Sequence, residues 1–194
     1  MSTVRKLNES ALRGIYDAYM HEAFPPAELK PLAVMLRLME RGRYLCYGYY
    51  RNGRLAVYAF FYRHDSRVLL LDYFAVTPEL RGRGVGSAFL AALDAVLGGV
   101  CILGEVEMPD SHDAGLNAMR LRRIAFYERA GFSLTGAACR RNSQRQKYRK
   151  RERKCLFRST SIQSKRPSPP PPGRRGGTRG RSPCAPPPSC RRTI

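Results

Sequence analysis

The chain has 194 residues, 43% of them hydrophobic, and carries a formal net charge of +20. This length suggests one domain, or one domain followed by a tail, with enough apolar residues for a globular core. The charge is uneven, because residues 139–194 contain 18 of the 35 basic residues and only one acid, Glu152. The pI near 10.4 therefore describes the C-terminal segment and not residues 1–138, which hold 17 basic and 14 acidic residues.

Composition and cysteine spacing exclude several classes of protein. No run of 18 apolar residues is present, so we expect no transmembrane helix, and the polar N-terminus does not resemble a signal peptide. The six cysteines show no CxxC motif and no close grouping with histidine, which argues against a zinc site or a disulfide framework. We therefore expect no metal and a reducing, cytoplasmic location.

Hydrophobic periodicity and turn signals predict an α/β fold. The predicted elements, in chain order, are a strand at residues 3–7, helices at 9–22 and 27–41, strands at 44–50, 54–63 and 67–76, a helix at 84–97, a strand at 100–107, a helix at 118–130 and the start of a strand at 132–134. Asn52-Gly53 is a strong hairpin signal. Hairpins followed by a strand–helix–strand crossover predict a mixed, mostly antiparallel central sheet with helices on both faces.

A glycine-rich loop, Arg81-Gly82-Arg83-Gly84-Val85-Gly86-Ser87, follows the strand at 67–76, which has an almost continuous apolar run, Val68–Leu71. Glycines let backbone amides approach an anion closely, and the first turn of the next helix supplies unpaired N–H donors. The pattern indicates a diphosphate-binding site, and a turn that merely fits helix onto strand is the alternative. A Gly-Lys-Ser/Thr triplet is absent and the G-x-G-x-x-G spacing is incomplete, so neither a P-loop nor a dinucleotide fold is favoured.

This segment resembles the GNAT superfamily of acyl-CoA-dependent N-acetyltransferases. Residues 81–86 match the signature Q/R-x-x-G-x-G/A, and Phe126-Tyr127-Glu128-Arg129-Ala130-Gly131-Phe132 matches the second motif, a helix ending in Tyr and then Gly-Phe. The two motifs occur in the family's order, and the resemblance covers roughly residues 3–135. It implies an acyl-CoA N-acyltransferase-like domain over residues 1–138.

The resemblance also implies where acetyl-CoA, the co-substrate, would bind. Backbone groups at residues 74–76 would pair with the pantetheine arm and hold the thioester oxyanion, and backbone amides at residues 81–87 would hold the pyrophosphate. The implied cofactor-binding residues are Phe74, Ala75, Val76, Arg81, Gly82, Arg83, Gly84, Val85, Gly86 and Ser87. Tyr127 would be the general acid for the leaving thiolate, with a plain core tyrosine as the alternative. The family often has Asn seven residues before this tyrosine, where this sequence has Arg120.

Three acidic residues, Glu105, Glu107 and Asp72, are candidates for the general base that deprotonates the acceptor amine. Glu105 and Glu107 alternate on one predicted strand and so share a face, and this strand should splay from the strand at 67–76, which carries Asp72. Two close carboxylates would also attract a cationic substrate. For each acid, a solvated or salt-bridged carboxylate at a strand end is the alternative.

Residues 139–194 are predicted to be a disordered, basic, Pro/Arg-rich tail. The strand pattern breaks off after residue 138, and nine of the 14 prolines follow. The tail could be an arm that binds nucleic acid or acidic membrane nonspecifically, a passive extension, or an out-of-frame translation of the final strands, which we favour. We expect it to be dispensable for acetyl-CoA binding and the strand at 100–107 to be an unprotected edge.

The resemblance, together with these patterns, implies a cytoplasmic N-acetyltransferase that moves acetyl from acetyl-CoA to an amine of a small molecule, a peptide or a protein by direct attack. Two alternatives remain. One is a CoA-binding domain without catalysis, and the other is a basic protein that binds nucleic acid through its tail.

Overall fold

A seven-stranded mixed sheet runs through the residues that the computed structural model describes, 2–139 and 153–159. Its strands are β1 (Ser2–Lys6), β2 (Tyr44–Arg51), β3 (Arg54–Arg63), β4 (Val68–Val76), β5 (Cys101–Glu107), β6 (Ser133–Cys139) and β7 (Arg153–Ser159). They lie in the order β1-β2-β3-β4-β5-β7-β6, and among these neighbours only β4 and β5 are parallel. The prediction of a mixed, mostly antiparallel sheet is confirmed.

Helices cover both faces of this sheet, as predicted. They are α1 (Glu9–Ile15), α2 (His21–Ala23), α3 (Leu32–Glu40), α4 (Val85–Leu97) and α5 (Ala114–Arg129). A π-helical turn, Tyr16–Met20, joins α1 to α2. The first core contains Phe89 and Leu93 of α4 against Leu69 and Leu71 of β4, and the second contains Leu12 and Met35 of the first three helices against the other face.

Two helix boundaries differ from the predicted ones, each because of a local cap. The helix predicted at 27–41 begins at Leu32, because Pro31 has extended backbone dihedrals and ends a loop. The helix predicted at 118–130 begins four residues earlier, at Ala114. There the side chain of Asp113 accepts a hydrogen bond from the amide of Leu116 and so provides the N-cap.

The strand predicted to start at 132–134 is present as β6, whereas the expectation that no further strand follows it is wrong for residues 153–159. β7 pairs antiparallel with β5 along the whole of β5, from Cys101 opposite Ser159 to Glu107 opposite Arg153. β6 pairs with the other edge of β7. β5 is therefore an interior strand, and the predicted boundary at residue 139 places part of the sheet in the tail.

The remainder of the predicted tail, residues 140–152 and 160–194, lies outside the described residues, and so does its predicted binding of nucleic acid. None of the helices in the described part of the chain has both the length and the hydropathy that a membrane span requires.

Candidate active site

β4 and β5 run side by side for only three residues and then separate. Val68, Leu69 and Leu70 of β4 pair with Cys101, Ile102 and Leu103 of β5, and the pairing ends there although both strands continue. The splay predicted between these strands is thus present. It leaves a notch in the sheet, bounded on one side by the last residues of β4.

The backbone hydrogen bonds of β4 decide which residues face this notch. Thr77 donates its amide to the carbonyl of Ala56 on β3, at 2.9 Å. Because hydrogen bonding alternates along an antiparallel pair, Ala75 also faces β3, whereas the backbone groups of Phe74 and Val76 point towards the notch. Of the three residues predicted to pair with pantetheine, two therefore present their amides to the opening.

The glycine loop leads from the end of β4 into α4. Gly82 and Gly84 have positive φ angles, +75° and +70°, and a Cβ built on either would meet nothing within 4 Å. The loop surface is thus open towards the first turn of α4, whose initial amides have no acceptor within the helix. Gly86 differs, because a Cβ there would lie 3.2 Å from Val76 and 3.4 Å from Phe126, so the glycine lets α4 pack against β4.

The side chains of the loop divide between the surface and the fold. Arg81 is half exposed, and its Nε donates to the carbonyl of Val76 at 3.3 Å, which ties the loop to the open end of β4. Arg83 and Ser87 are exposed, and Val85 is buried in the core. The loop therefore combines a fixed backbone with basic side chains that solvent, or an anionic ligand, can reach.

Tyr127 lies on α5 and contacts Phe74, one of the β4 residues whose backbone faces the notch. Its ring makes edge contacts with Phe74, Phe126 and Phe132, with centroids 6.2, 5.1 and 5.3 Å away. Burial raises the pKa of Tyr127 to about 12, against the opposing effect of Arg123. The hydroxyl therefore remains protonated at neutral pH, as a proton donor requires.

A cavity of about 450 Å³ brings the predicted catalytic residues together. Tyr127, Glu105, Glu107 and Asp72 all line it, together with the segment between α2 and α3. The sequence alone does not show that these four residues are close, because they come from three separate elements, β4, β5 and α5.

The carboxylate of Asp72 is held by two partners that the sequence did not single out. Lys30 Nζ lies 2.6 and 2.7 Å from its two oxygens, and Tyr44 Oη donates to it at 2.5 Å. Burial and the neighbouring Asp72 carboxylate raise the pKa of the Tyr44 hydroxyl, which keeps it a donor. This environment favours a structural role for Asp72 over a role as base.

Arg120 is a second residue of the site whose contacts sequence reasoning missed. Its side chain is 2% exposed, and its guanidinium donates to Glu107, to the carbonyl of Met108 and to Asp110. It therefore fixes the end of β5, including one of the three candidate bases. The sequence feature that could have drawn attention to Arg120 is that it replaces the Asn usual in the family at this position. Asn117, one helical turn earlier, does not take that place, because its side chain is hydrogen-bonded to the backbone of Ser111.

Among the described residues, no group of three or more His, Cys, Asp or Glu side chains is arranged to hold a metal ion.

Known structures share this fold at low sequence identity. A GNAT-family protein from Bacteroides thetaiotaomicron aligns with a TM-score of 0.67 at 22% identity, over 81% of this chain and 86% of that one. The ribosomal-protein-S18-alanine N-acetyltransferase of Escherichia coli gives 0.58 at 23%, over 85% and 97%. A protein from Salmonella typhimurium, solved with its cofactor acetyl-CoA, gives 0.58 at 16%, over 84% and 96%.

The sequence itself was compared with curated proteins and with protein families. No curated protein matches it. The family described as "Acetyltransferase (GNAT) domain" matches residues 42–134, which run from the start of β2 to the start of β6 and include the notch, the glycine loop and Tyr127. Over these residues, the chain is similar to GNAT acetyltransferases in sequence, and the solved structures above share its fold.

Proposed function

We propose that this protein transfers the acetyl group of acetyl-CoA to an amine. The observation that carries the proposal is the notch between β4 and β5, where the outward backbone groups of Phe74 and Val76 lie next to the open first turn of α4. The extended pantetheine arm of CoA could pair with that strand edge. The CoA diphosphate would then accept hydrogen bonds from the backbone amides at the helix N-terminus. The cavity beside the notch supplies acids and a phenol.

The residues of the site divide the chemistry between them. An outward amide of β4, from Phe74 or Val76, would hold the thioester oxygen as negative charge develops on it. Glu105 of β5 would accept the proton of the acceptor ammonium, directly or through water. Glu107 is less suited to this role, because the buried Arg120 holds its carboxylate as Lys30 holds that of Asp72. Tyr127 would then donate its proton to the departing thiolate, and its raised pKa keeps that proton available.

The acceptor is proposed to be an amine of a small molecule or a peptide. The names of structural neighbours include both kinds, a ribosomal-protein-S18-alanine N-acetyltransferase and a spermidine N-acetyltransferase chimera. The cavity wall has four acidic residues and two basic ones, which suits a substrate that arrives as a cation. The acids are Glu28, Asp72, Glu105 and Glu107, and the bases are Lys30 and Arg123. The free thiols of Cys46 and Cys101 fit a reducing compartment, so we place the reaction in the cytoplasm.

Replacement of Gly84 by valine tests the cofactor site directly. Gly84 has φ +70° at the N-cap of α4, so a branched side chain strains the loop and occupies the space from which a diphosphate would approach. We expect the Kd for acetyl-CoA, measured by calorimetry, to rise at least about tenfold, or 1.4 kcal/mol.

Gly42 provides a matched control, because it also has a positive φ, +66°, and open space around it, but it lies after α3. Gly42→Val should lower stability while leaving the Kd for acetyl-CoA unchanged. Equal affinity in Gly84→Val and wild type would refute the assignment of the loop. Binding of acetyl-CoA without CoA release in the presence of any amine tried would favour the alternative of a binding domain without catalysis.

A further inference from the structure

The segment between α2 and α3 forms part of the cavity wall without regular secondary structure of its own. Its backbone is held by tyrosine hydroxyls. Tyr16 donates to the carbonyl of Lys30 at 3.1 Å, while Tyr73 accepts from the amide of Lys30 at 2.8 Å and donates to the carbonyl of Glu28 at 2.7 Å. The position of this wall therefore depends on two tyrosine side chains, Tyr16 of the π-helical turn and Tyr73 of β4.

Asp72 holds the side chain of the same lysine. The ion pair is largely shielded from water, since the Asp72 side chain is 10% exposed and that of Lys30 is 33% exposed. Lys30 Nζ also lies 5.4 Å from the centre of the Tyr73 ring, which adds a cation–π contact. Two consecutive residues of β4 thus hold Lys30: Tyr73 binds its backbone amide, and Asp72 binds its side chain.

A β-bulge explains how two consecutive strand residues reach one loop. In the β3–β4 pair, Phe60 is opposite Tyr73 and Phe61 is opposite Leu71, so Asp72 has no partner on β3. An extra residue of this kind bends the strand and redirects side chains. The bulge lies just before the residues of β4 that face the notch.

We propose that Asp72 is a positioning residue for the acceptor amine: by holding Lys30 at the bulge, it fixes residues 24–31 as a wall of the cavity and takes no proton in the reaction. The inference rests on the proposed function. It accounts for the presence of an ion pair whose desolvation cost offsets much of its attraction, by giving the pair the role of selecting one arrangement of the wall.

The Asp72→Asn variant keeps the size of the side chain and removes the charge that holds Lys30. We expect the KM for the acceptor to rise about fivefold, with kcat changed less than about twofold and the Kd for acetyl-CoA unchanged. Asp17→Asn is the matched control, since Asp17 is exposed on the π-helical turn, and it should behave as wild type. A hundredfold loss of kcat at constant KM would make Asp72 the base and overturn the proposal, as would unchanged kinetics.

A double-mutant cycle with Lys30→Met separates positioning from catalysis. If Asp72 acts through Lys30, each single variant and the double variant should raise the acceptor KM by similar factors. Multiplicative effects of the two substitutions would show that the residues act independently and would overturn the proposal. Lys6→Met, on exposed β1, is the matched control for the lysine change.

Amide hydrogen exchange tests the attachment of the wall without relying on activity. Exchange in residues 24–31 should be faster in Asp72→Asn than in Asp17→Asn, and equal rates would overturn the proposal. If wild type binds acetyl-CoA yet acetylates no amine, the proposed function fails, while faster exchange in Asp72→Asn would still support the attachment of the wall by Asp72.

Discussion

The Tyr127→Phe variant should lose roughly a hundredfold in kcat while binding acetyl-CoA with unchanged affinity. The substitution keeps the ring and with it the contacts to Phe74, Phe126 and Phe132, so the aromatic cluster stays intact. It removes only the hydroxyl of a residue that lines the cavity. Release of free CoA thiol measures kcat, and calorimetry measures the affinity.

The pH dependence supplies a second test of the same role. Because burial raises the pKa of Tyr127 to about 12, the hydroxyl is protonated throughout the range of an ordinary assay. A proton donor of this kind loses activity only as pH rises towards that pKa. We therefore expect no alkaline loss of kcat attributable to Tyr127 below about pH 10, and the profile of Tyr127→Phe should keep the shape of the wild-type profile.

Tyr62 provides the control for the loss of a phenol. It lies at the end of β3, where its hydroxyl accepts a hydrogen bond from Arg43 at the surface, away from the residues that line the cavity. Tyr62→Phe should therefore leave kcat unchanged. If Tyr127→Phe were as active as this control, Tyr127 would be a packing residue of α5 and another donor would have to protonate the thiolate.

Local patterns explain why much of the fold could be predicted from sequence. The aromatic and apolar runs of β2 and β3, with Asn52-Gly53 between them, are signals that depend on neighbours within a few residues. The same holds for the glycine loop, because positive φ angles at Gly82 and Gly84 are a property of the loop itself. Such features are readable before any tertiary contact is known.

The role of Asp72 could not be predicted in this way, because it depends on register and on distant partners. Lys30 precedes it by 42 residues, and the bulge at Asp72 is defined only by the pairing of β4 with β3, where Phe60 is opposite Tyr73 and Phe61 is opposite Leu71. Periodicity in β4 alone predicts an acid on a central strand and nothing about its partners. The sequence therefore suggested a base where the structure shows an ion pair.

β7 was missed for a different reason, which is that composition was averaged over the whole C-terminal segment. The strand is short and contains a single pair of large apolar residues, Leu156-Phe157, between basic residues. It gains its stability from pairing with β5 and β6 rather than from its own pattern. Glu105 and Glu107 of β5 lie in register with Cys155 and Arg153 of β7.

The Leu156→Ala variant should lower the free energy of unfolding by about 3 kcal/mol, because it leaves a cavity in a closely packed core. Leu156 is fully buried at 0% exposure, and its Cβ lies 3.8 Å from the position a Cβ would take on Gly104 of β5. Urea denaturation of the full chain measures the change. Leu134→Ala is the matched control on β6, where the side chain is 37% exposed, and should cost less than about 1 kcal/mol.

The same pairing reverses the expectation that residues 139–194 are dispensable. Removal of everything after residue 138 takes away β7 and with it the partner of all seven residues of β5, including both candidate bases on that strand. An interior strand would become an exposed edge, so we expect the truncated chain to aggregate and to bind acetyl-CoA poorly. If Leu156→Ala were as stable as wild type and the truncated chain stayed monomeric with full affinity, β7 would contribute nothing to the fold, and the boundary predicted from composition would stand.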